Sequence, residues 1–154
     1  MTDIPENAIE LINASIMGFD KTMGMVFVKV SKTELIAEIT IDERHRQPYG
    51  LVHGGVYAGM IESLCSVGAA VNVMSDDKDA VGLENNTSFL RATSAGTLRG
   101  TAHPIKMGKT THVWQADIHD GDGHLVASGK VRLGILSAGG FSAGHSSRLV
   151  LPEK

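Results

Sequence analysis

Glu62 is a lone carboxylate inside a long apolar segment, which makes it the first candidate for chemistry in this sequence. Its nearest neighbours along the chain are apolar: Met60, Ile61, Leu64 and Cys65. Charged side chains are seldom buried without a partner or a function, so this pattern favours a catalytic carboxylate acting as a general base. Ser66 is four residues further on and shares the same helical face, where its hydroxyl could orient the carboxylate or a water. The alternative is that Glu62 leaves through a gap in the sheet or pairs with a basic residue.

Gly54 and Gly55 form the "HGG" that precedes Glu62, at the point where a loop is predicted to become a helix. The N–H groups of a first helical turn have no partner within the helix and favour negative charge. Because glycine has no Cβ, a substrate carbonyl can approach the backbone closely, and one N–H could stabilise the oxyanion of an acyl transfer. The alternative is a tight loop-to-helix entry that needs glycine for steric reasons alone.

The spacing of Gly54 and Glu62 constrains how they could act together. Eight helical residues separate them by about 12 Å, which is too far for both to contact one reacting carbon. If both act, Gly54 of one protomer must meet Glu62 of another across a two-fold axis. The sequence therefore predicts a homodimer with two composite sites.

A helix and several strands must position these residues. The apolar spacing predicts a short amphipathic helix over 5–17, a β-hairpin over about 24–42 that turns near Ser31, and a long helix from Gly54 to the charged run "SDDKD". Three strands follow, "AVGLENNTSFLRA", "TLRGTAHPIKM" and "TTHVWQADIHD", and the turn "DGDG" introduces a last strand, "HLVASGKVRLGIL".

This order predicts an α+β fold in which a curved antiparallel sheet wraps around one long central helix. Residues 1–136 form one domain in this prediction. The small-residue segment 137–154 is predicted to be a flexible tail, since it cannot bury much apolar area.

Composition excludes several classes of function. The net charge is −3 with no basic run, which argues against a nucleic-acid partner. The segment 54–75 approaches the length of a membrane span, but its four glycines and the alternating strands around it favour a core helix over a membrane partner. The single cysteine, Cys65, and an N-terminus without signal-like features predict a cytoplasmic protein. The scattered histidines form no helix-spaced pair, so we expect no metal.

The segment "QPYGLVHGGVYAGMIESLCS", residues 47–66, resembles the active-site segment of hotdog-fold acyl-CoA thioesterases. It is most similar to the aromatic-acyl branch, which includes 4-hydroxybenzoyl-CoA, phenylacetyl-CoA and 1,4-dihydroxy-2-naphthoyl-CoA thioesterases. The similarity in motif order and spacing runs from about Met23 to Leu136.

The resemblance implies a role for each matching residue of the catalytic segment. Glu62 matches the catalytic nucleophile or base, and Gly54 matches the backbone donor that polarises the thioester carbonyl. Gln47 matches a side chain beside the thioester, and Ser66 matches a hydroxyl that positions the hydrolytic water. His53 matches the histidine before the glycine pair, where a loop-bracing role and a catalytic role both stay open.

The resemblance also implies a substrate channel. The strand "NNTSFLRAT" would line the pantetheine channel, with Gly82, Ser88 and Arg91 as binding residues. The turn "KMGKTT" would lie near the nucleotide; its candidates are Gly108, Lys109 and Thr110, and a lysine with backbone amides suits phosphate. An ordinary solvated hairpin is the alternative for this turn. Arg148 in the tail could also approach CoA.

The resemblance implies hydrolysis of an acyl-CoA, with an aromatic acyl group, to a carboxylic acid and CoA. No cofactor is implied, since CoA is part of the substrate, and the expected assembly is a dimer or a dimer of dimers. A non-catalytic acyl-CoA-binding or sensing domain is the alternative; such sensors carry a DNA-binding segment, which this sequence does not match. A hydratase would need a histidine and carboxylate on another segment.

Overall fold

The structure is a computed structural model that describes residues 4–139. Two short helices, α1 (Ala8–Ser15) and α2 (Gly18–Met23), precede a long central helix, α3 (Gly54–Val73). The strands are β1 (Val26–Val30), β2 (Leu35–Thr40), β3 (Lys78–Phe89), β4 (Thr97–Met107), β5 (Thr111–His119) and β6 (Leu125–Ser137). Short 3-10 turns occupy Glu43–His45 and Met74–Asp76.

The six strands form one antiparallel sheet in the order β1-β2-β4-β5-β6-β3. The sheet curves around α3, and the predicted α+β hotdog architecture is confirmed. Strand β5 shows why this sequence folds in this way, because its side chains alternate strictly between buried and half-buried. One face of the strand covers the helix, as period-2 alternation requires.

Helix α3 lies close to the sheet because Gly68 allows a large side chain to pack against its backbone. A Cβ at Gly68 would lie 2.7–2.9 Å from ring carbons of Trp114 on β5. The ring of Trp114 is fully buried there, in the same core cluster as Leu64 and Ile118. The same packing explains the hydropathy of α3: Gly54–Asp76 is long and apolar enough to cross a membrane, yet 56% of the most apolar window is buried inside the fold. A helix in the core of a folded domain can have the same length and the same apolar composition.

Helix α2 was not predicted from the sequence. It covers the side of α3 that the sheet leaves open: the ring of Phe19 lies over Gly59, and Asp20 Oδ1 accepts a 2.6 Å hydrogen bond from Ser63 Oγ. Six residues are too few for a recognisable helical period, and Gly24 with φ 66° ends the helix. The predicted tail lies almost entirely outside the described residues, as does Arg148.

Strand β3 contains a β-bulge that decides which of its residues face α3. Gly82 pairs with Leu133, but Glu84 pairs with the next residue, Arg132, so Leu83 is an extra residue. Such an insertion reverses the alternation beyond it. After the bulge, the odd-numbered residues of β3 face the helix.

Candidate active site

The carboxylate of Glu62 lies between α3 and β3 and has hydrogen-bond donors on both sides. Its Oε2 accepts a 2.9 Å hydrogen bond from Asn85 Nδ2 on β3. Its Oε1 lies 3.5 Å from Ser66 Oγ, one helical turn further along α3. Ser66 therefore lies where the sequence predicted it, next to the carboxylate and able to hold a water beside it.

Gly82 provides the space that Oε1 of Glu62 occupies. A Cβ at position 82 would clash with this oxygen. Gly82 was assigned to the pantetheine channel by resemblance, and a contact with the catalytic candidate was not anticipated. The channel role of Gly82 stays a prediction.

The first turn of α3 leaves one backbone N–H available. His53 is the N-cap, and its Nδ1 accepts a 2.8 Å hydrogen bond from Gly55 N–H. The Val56 N–H donates to the His53 carbonyl at 2.9 Å. Within residues 4–139, nothing accepts a hydrogen bond from Gly54 N–H. The uncapped donor is thus the one predicted to hold the oxyanion.

His53 has a defined structural role in this arrangement. Because Nδ1 accepts from a backbone N–H, the proton of the neutral ring is on Nε2. This is the loop-bracing role that the sequence left open. Direct catalysis by His53 stays a prediction.

A surface cleft of about 270 Å³ opens beside Gly54. Its walls include Gln47, Tyr57, Phe89 and Arg91, so two further predicted residues lie near the glycine. The rings of Tyr57 and Phe89 are tilted at 41° with centroids 6.0 Å apart, and Phe89 lies so close that a Cβ at Gly54 would meet its ring carbons at 2.7 Å. The cleft is therefore partly aromatic.

A tight turn fixes Gln47 at the rim of this cleft. Gln47 N–H donates to the Leu51 carbonyl, and the Gln47 carbonyl accepts from Gly50 N–H, both at 2.8 Å. The side-chain Oε1 accepts from Tyr49 N–H at 2.5 Å. Gly50 has φ 82°, a conformation that favours glycine, so the turn depends on this residue. The Nε2 donors of the same amide have no acceptor among residues 4–139.

Cys65 lies beside Glu62 on α3 but is unsuited to nucleophilic chemistry. It is fully buried, and burial, with a smaller contribution from the Glu62 charge, raises the pKa of its thiol well above the ordinary value. The thiolate is the reactive form of cysteine. Glu62 is thus the nucleophile or base candidate at this point of the helix.

The structure groups the predicted residues in three places along one chain. Gln47, His53, Gly54 and Arg91 lie at the start of α3, where β3 ends. Glu62, Ser66 and Gly82 lie about two turns further along the helix. The turn Gly108–Thr110 lies at the opposite end of the sheet, where the Thr110 carbonyl accepts from Ile135 N–H. One chain thus does not bring the first group to the second.

Ser88 directly precedes Phe89, but its side chain does not join the first group. It is in register with Ser128, beyond the bulge of β3, on the face that points away from α3. Lys109 is exposed at its hairpin turn, where Gly108 N–H donates to the Thr111 carbonyl at 2.9 Å. The binding roles of these residues stay predictions.

Asn85, Tyr57 and Phe89 are site residues that the sequence reasoning missed. Asn85 and Phe89 lie in the quoted strand "NNTSFLRAT", but without the bulge the alternation would place both on the outer face. The Tyr57 hydroxyl is buried with no hydrogen-bond partner among residues 4–139, and burial raises its pKa, as does the nearby Asp120 charge. Its position in the first turn of α3 was the available signal.

One other cluster has ligand-type side chains at short spacing. Asp120, Asp122 and His124 lie in the exposed turn between β5 and β6, with ligand atoms within 4.8 Å of one another. Asp120 Oδ1 accepts from the N–H groups of both other residues, at 3.0 and 2.9 Å. These bonds shape the turn itself. The cluster is remote in sequence from the Glu62 group.

Comparison with known proteins identifies relatives of this chain. The family described as "Thioesterase superfamily" matches residues 49–127. The chain is 34% identical over 131 residues to the 1,4-dihydroxy-2-naphthoyl-CoA hydrolase of Escherichia coli, covering 83% of this chain and 94% of the relative. Against the hydrolase of the same name from Listeria monocytogenes, identity is 36% over 104 residues, covering 68% and 84%. The solved thioesterase HI1161 of Haemophilus influenzae superposes with a TM-score of 0.81 at 25% identity, covering 89% of this chain and 96% of that one.

Proposed function

Because this chain belongs to the thioesterase superfamily, we propose that it hydrolyses acyl-CoA thioesters to a carboxylic acid and CoA. The observation that supports this most directly is the Glu62 carboxylate, held at the edge of the sheet beside Ser66. In the net reaction the C–S bond breaks, one water is consumed, the acyl group is released as a carboxylic acid, and the CoA sulfur leaves with a proton. A non-catalytic acyl-CoA-binding domain is not favoured, since the relatives are named hydrolases and thioesterases.

In this proposal Glu62 acts either as the nucleophile or as the general base that deprotonates the water, and Gly54 N–H stabilises the oxyanion. Single turnover in ¹⁸O-labelled water separates the two routes. Attack by Glu62 gives an anhydride, and its hydrolysis can leave the label in the Glu62 carboxyl. General-base catalysis places the label in the released acid alone.

A second part of the proposal is a homodimer formed through the β3 edge. Strand β3 is at one end of the sheet, 12 residues long, with Leu83 53% and Phe89 59% exposed. An unpaired edge of this length is a template for pairing with another strand. Antiparallel pairing of two copies reverses their ends, so that the start of α3 in one copy approaches Glu62 of the other. Association of two such dimers belongs to the same proposal.

Subunit mixing tests the composite site. A chain with Glu62→Gln and a chain with Gly54→Pro would each form inactive homodimers. In a mixed dimer one site carries both changes and the other carries neither. Random mixing should therefore restore roughly a quarter of the wild-type activity. If each site belongs to one chain, the mixture stays inactive; if Glu62→Gln alone retains full hydrolysis, the proposed chemistry is wrong.

The acyl group is proposed to be aromatic, and the CoA moiety to extend along Gly82, Ser88 and Arg91 towards Gly108, Lys109 and Thr110. Support comes from the rings of Tyr57 and Phe89 in the cleft and from the naphthoyl-CoA hydrolases among the relatives. Thiol release from a panel of aryl, short-chain and long-chain acyl-CoAs tests the preference. Equal kcat/KM for aryl and aliphatic substrates would contradict it. A cytoplasmic location completes the proposal.

A further inference from the structure

We propose that Asn85 is a positioning residue for Glu62. It holds Oε2 of the carboxylate by a hydrogen bond, so that Oε1 is the oxygen that reacts. The inference rests on the proposed role of Glu62 and adds a residue to that site. It also specifies which atom of the carboxylate attacks the acyl carbon or accepts the proton of the water.

The amide of Asn85 has a complete set of partners that fixes its orientation. Its Nδ2 donates to Glu62 Oε2 at 2.9 Å and to the Ala58 carbonyl at 3.0 Å. Its Oδ1 accepts a 2.6 Å hydrogen bond from Thr87 Oγ1. Two acceptors on one side and a hydroxyl donor on the other distinguish the amide nitrogen from the oxygen. The amide is therefore aligned before substrate arrives.

The two carboxylate oxygens of Glu62 are consequently unequal. Oε2 accepts a short hydrogen bond from Asn85, and bonds to an ionised acceptor are among the stronger ones. Oε1 packs against the backbone of Gly82, and its one hydrogen-bond partner among residues 4–139 is Ser66 Oγ, at 3.5 Å. Oε1 is therefore the more weakly bonded oxygen, with lone pairs left to attack the acyl carbon or to accept the proton of a water.

The same amide joins the helix to the strand. Ala58 and Glu62 are one helical turn apart, so Asn85 contacts two successive turns of α3 from β3. Thr87, also on the face turned to α3, holds the amide from the strand side. A side chain fixed in this way restricts the rotation of Glu62, which is a requirement for a catalytic group in a productive geometry.

Kinetics of Asn85→Leu and Asn85→Asp test the proposal. Leucine removes the amide at similar size, and aspartate keeps the shape but replaces the donor with an acceptor. We expect kcat to fall roughly 10- to 100-fold in both, with KM within about twofold, because the carboxylate is misplaced while the substrate is still bound. Gln115→Leu is the matched control: it removes an amide from β5, whose inward face is formed by Trp114 and Ala116. Its kcat should equal that of the wild type.

Thr87→Val keeps Asn85 and removes only the hydroxyl that orients it, with an expected fall in kcat of roughly 2- to 10-fold. Unfolding temperature and light scattering are measured for every variant, since β3 is also the proposed dimer edge. Folded dimeric Asn85 variants with wild-type kcat would overturn the inference. If those variants do not fold, an unchanged kcat in Thr87→Val overturns it instead. A fully active Glu62→Gln variant would overturn the proposed function, which is a separate result.

Discussion

Gly82 of β3 lies directly against the carboxylate of Glu62 on α3, and a Cβ at position 82 would clash with Oε1. The β-bulge at Leu83 follows immediately, so Gly82 and Asn85 both face the helix, although residues three positions apart face opposite sides of a regular strand. One strand thereby contacts the carboxylate twice, with the glycine backbone at Oε1 and an amide donor at Oε2.

Gly82→Ala should displace Glu62 with little effect on folding. The added methyl group meets a side-chain oxygen, so the carboxylate rotates, and a shift of about 1 Å in a catalytic group can cost about 100-fold in rate. We expect kcat to fall roughly 10- to 100-fold in a steady-state assay. Gly121→Ala is the matched control, because a Cβ there meets no atom within 4 Å. Equal kcat in the two variants would argue against a catalytic position for Glu62.

Gly54→Pro tests the oxyanion donor, because proline removes the N–H at a position where helices accept it. Gly54 is the first residue of α3, and His53 before it has the extended backbone, ψ 135°, that proline requires of its predecessor. Since a Cβ at Gly54 would meet the Phe89 ring, the comparison is made in a Phe89→Ala background. Loss of one such donor typically lowers kcat by about 100- to 1,000-fold.

Gly54→Ala in the same Phe89→Ala background is the control for this experiment. It introduces the Cβ but retains the N–H, so its kcat should stay close to that of Phe89→Ala. If the proline and alanine variants are equally active, Gly54 N–H does not stabilise the transition state. If both are equally impaired, steric crowding at the start of α3 explains the effect.

Cys65 should be unreactive in the native protein. Burial, and then the Glu62 charge, raise its thiol pKa above the ordinary value of 9.0, so little thiolate forms at pH 8. A disulfide reagent such as DTNB should label the folded protein far more slowly than the protein in guanidinium chloride. The raised pKa also gives a stability contribution that is present below about pH 9 and lost as the pH rises. Rapid labelling of the native protein would contradict this assignment.

The central architecture could be predicted because its signals are strong and local. The long helix, the alternation in β5 and the turn after it depend on hydrophobic period and turn chemistry. The separation of Gly54 from Glu62 likewise follows from helical geometry alone. Strand β4 runs over Thr97–Met107, the same residues as the predicted segment, and α3 ends within two residues of the predicted end.

The site beyond this segment could not be predicted because it depends on one inserted residue. An ideal strand would turn Ser88 towards the helix with Gly82, and Asn85 away from it. The bulge at Leu83 reverses both, and nothing in "VGLENNTSF" distinguishes a bulged residue from a paired one. Helix α2 was missed for a related reason, since its contact between Phe19 and Gly59 joins segments 40 residues apart.

His112 should make the protein less stable in acid. Its side chain is buried on β5, its Nδ1 has no hydrogen-bond partner within residues 4–139, and burial, together with the Lys78 charge, lowers its pKa from the ordinary 6.5. Below pH 6.5 the unfolded chain therefore binds a proton at His112 more readily than the folded protein does. The stability present above pH 6.5 is lost as the pH falls.

His112→Leu should reduce this loss, because leucine has no group to protonate and suits an apolar position. Urea unfolding at pH 7 and pH 5 gives the free energy of unfolding at each pH, and the difference between them should be smaller in the variant than in the wild type. His103→Leu is the control, since His103 is exposed on the neighbouring strand β4 and should leave the difference unchanged. The test is the comparison between the two variants, because it cancels the contribution of all groups that both variants contain. An equal pH dependence of stability in His112→Leu and His103→Leu would contradict the prediction. It would mean that water reaches the protonated ring of His112 in the folded protein.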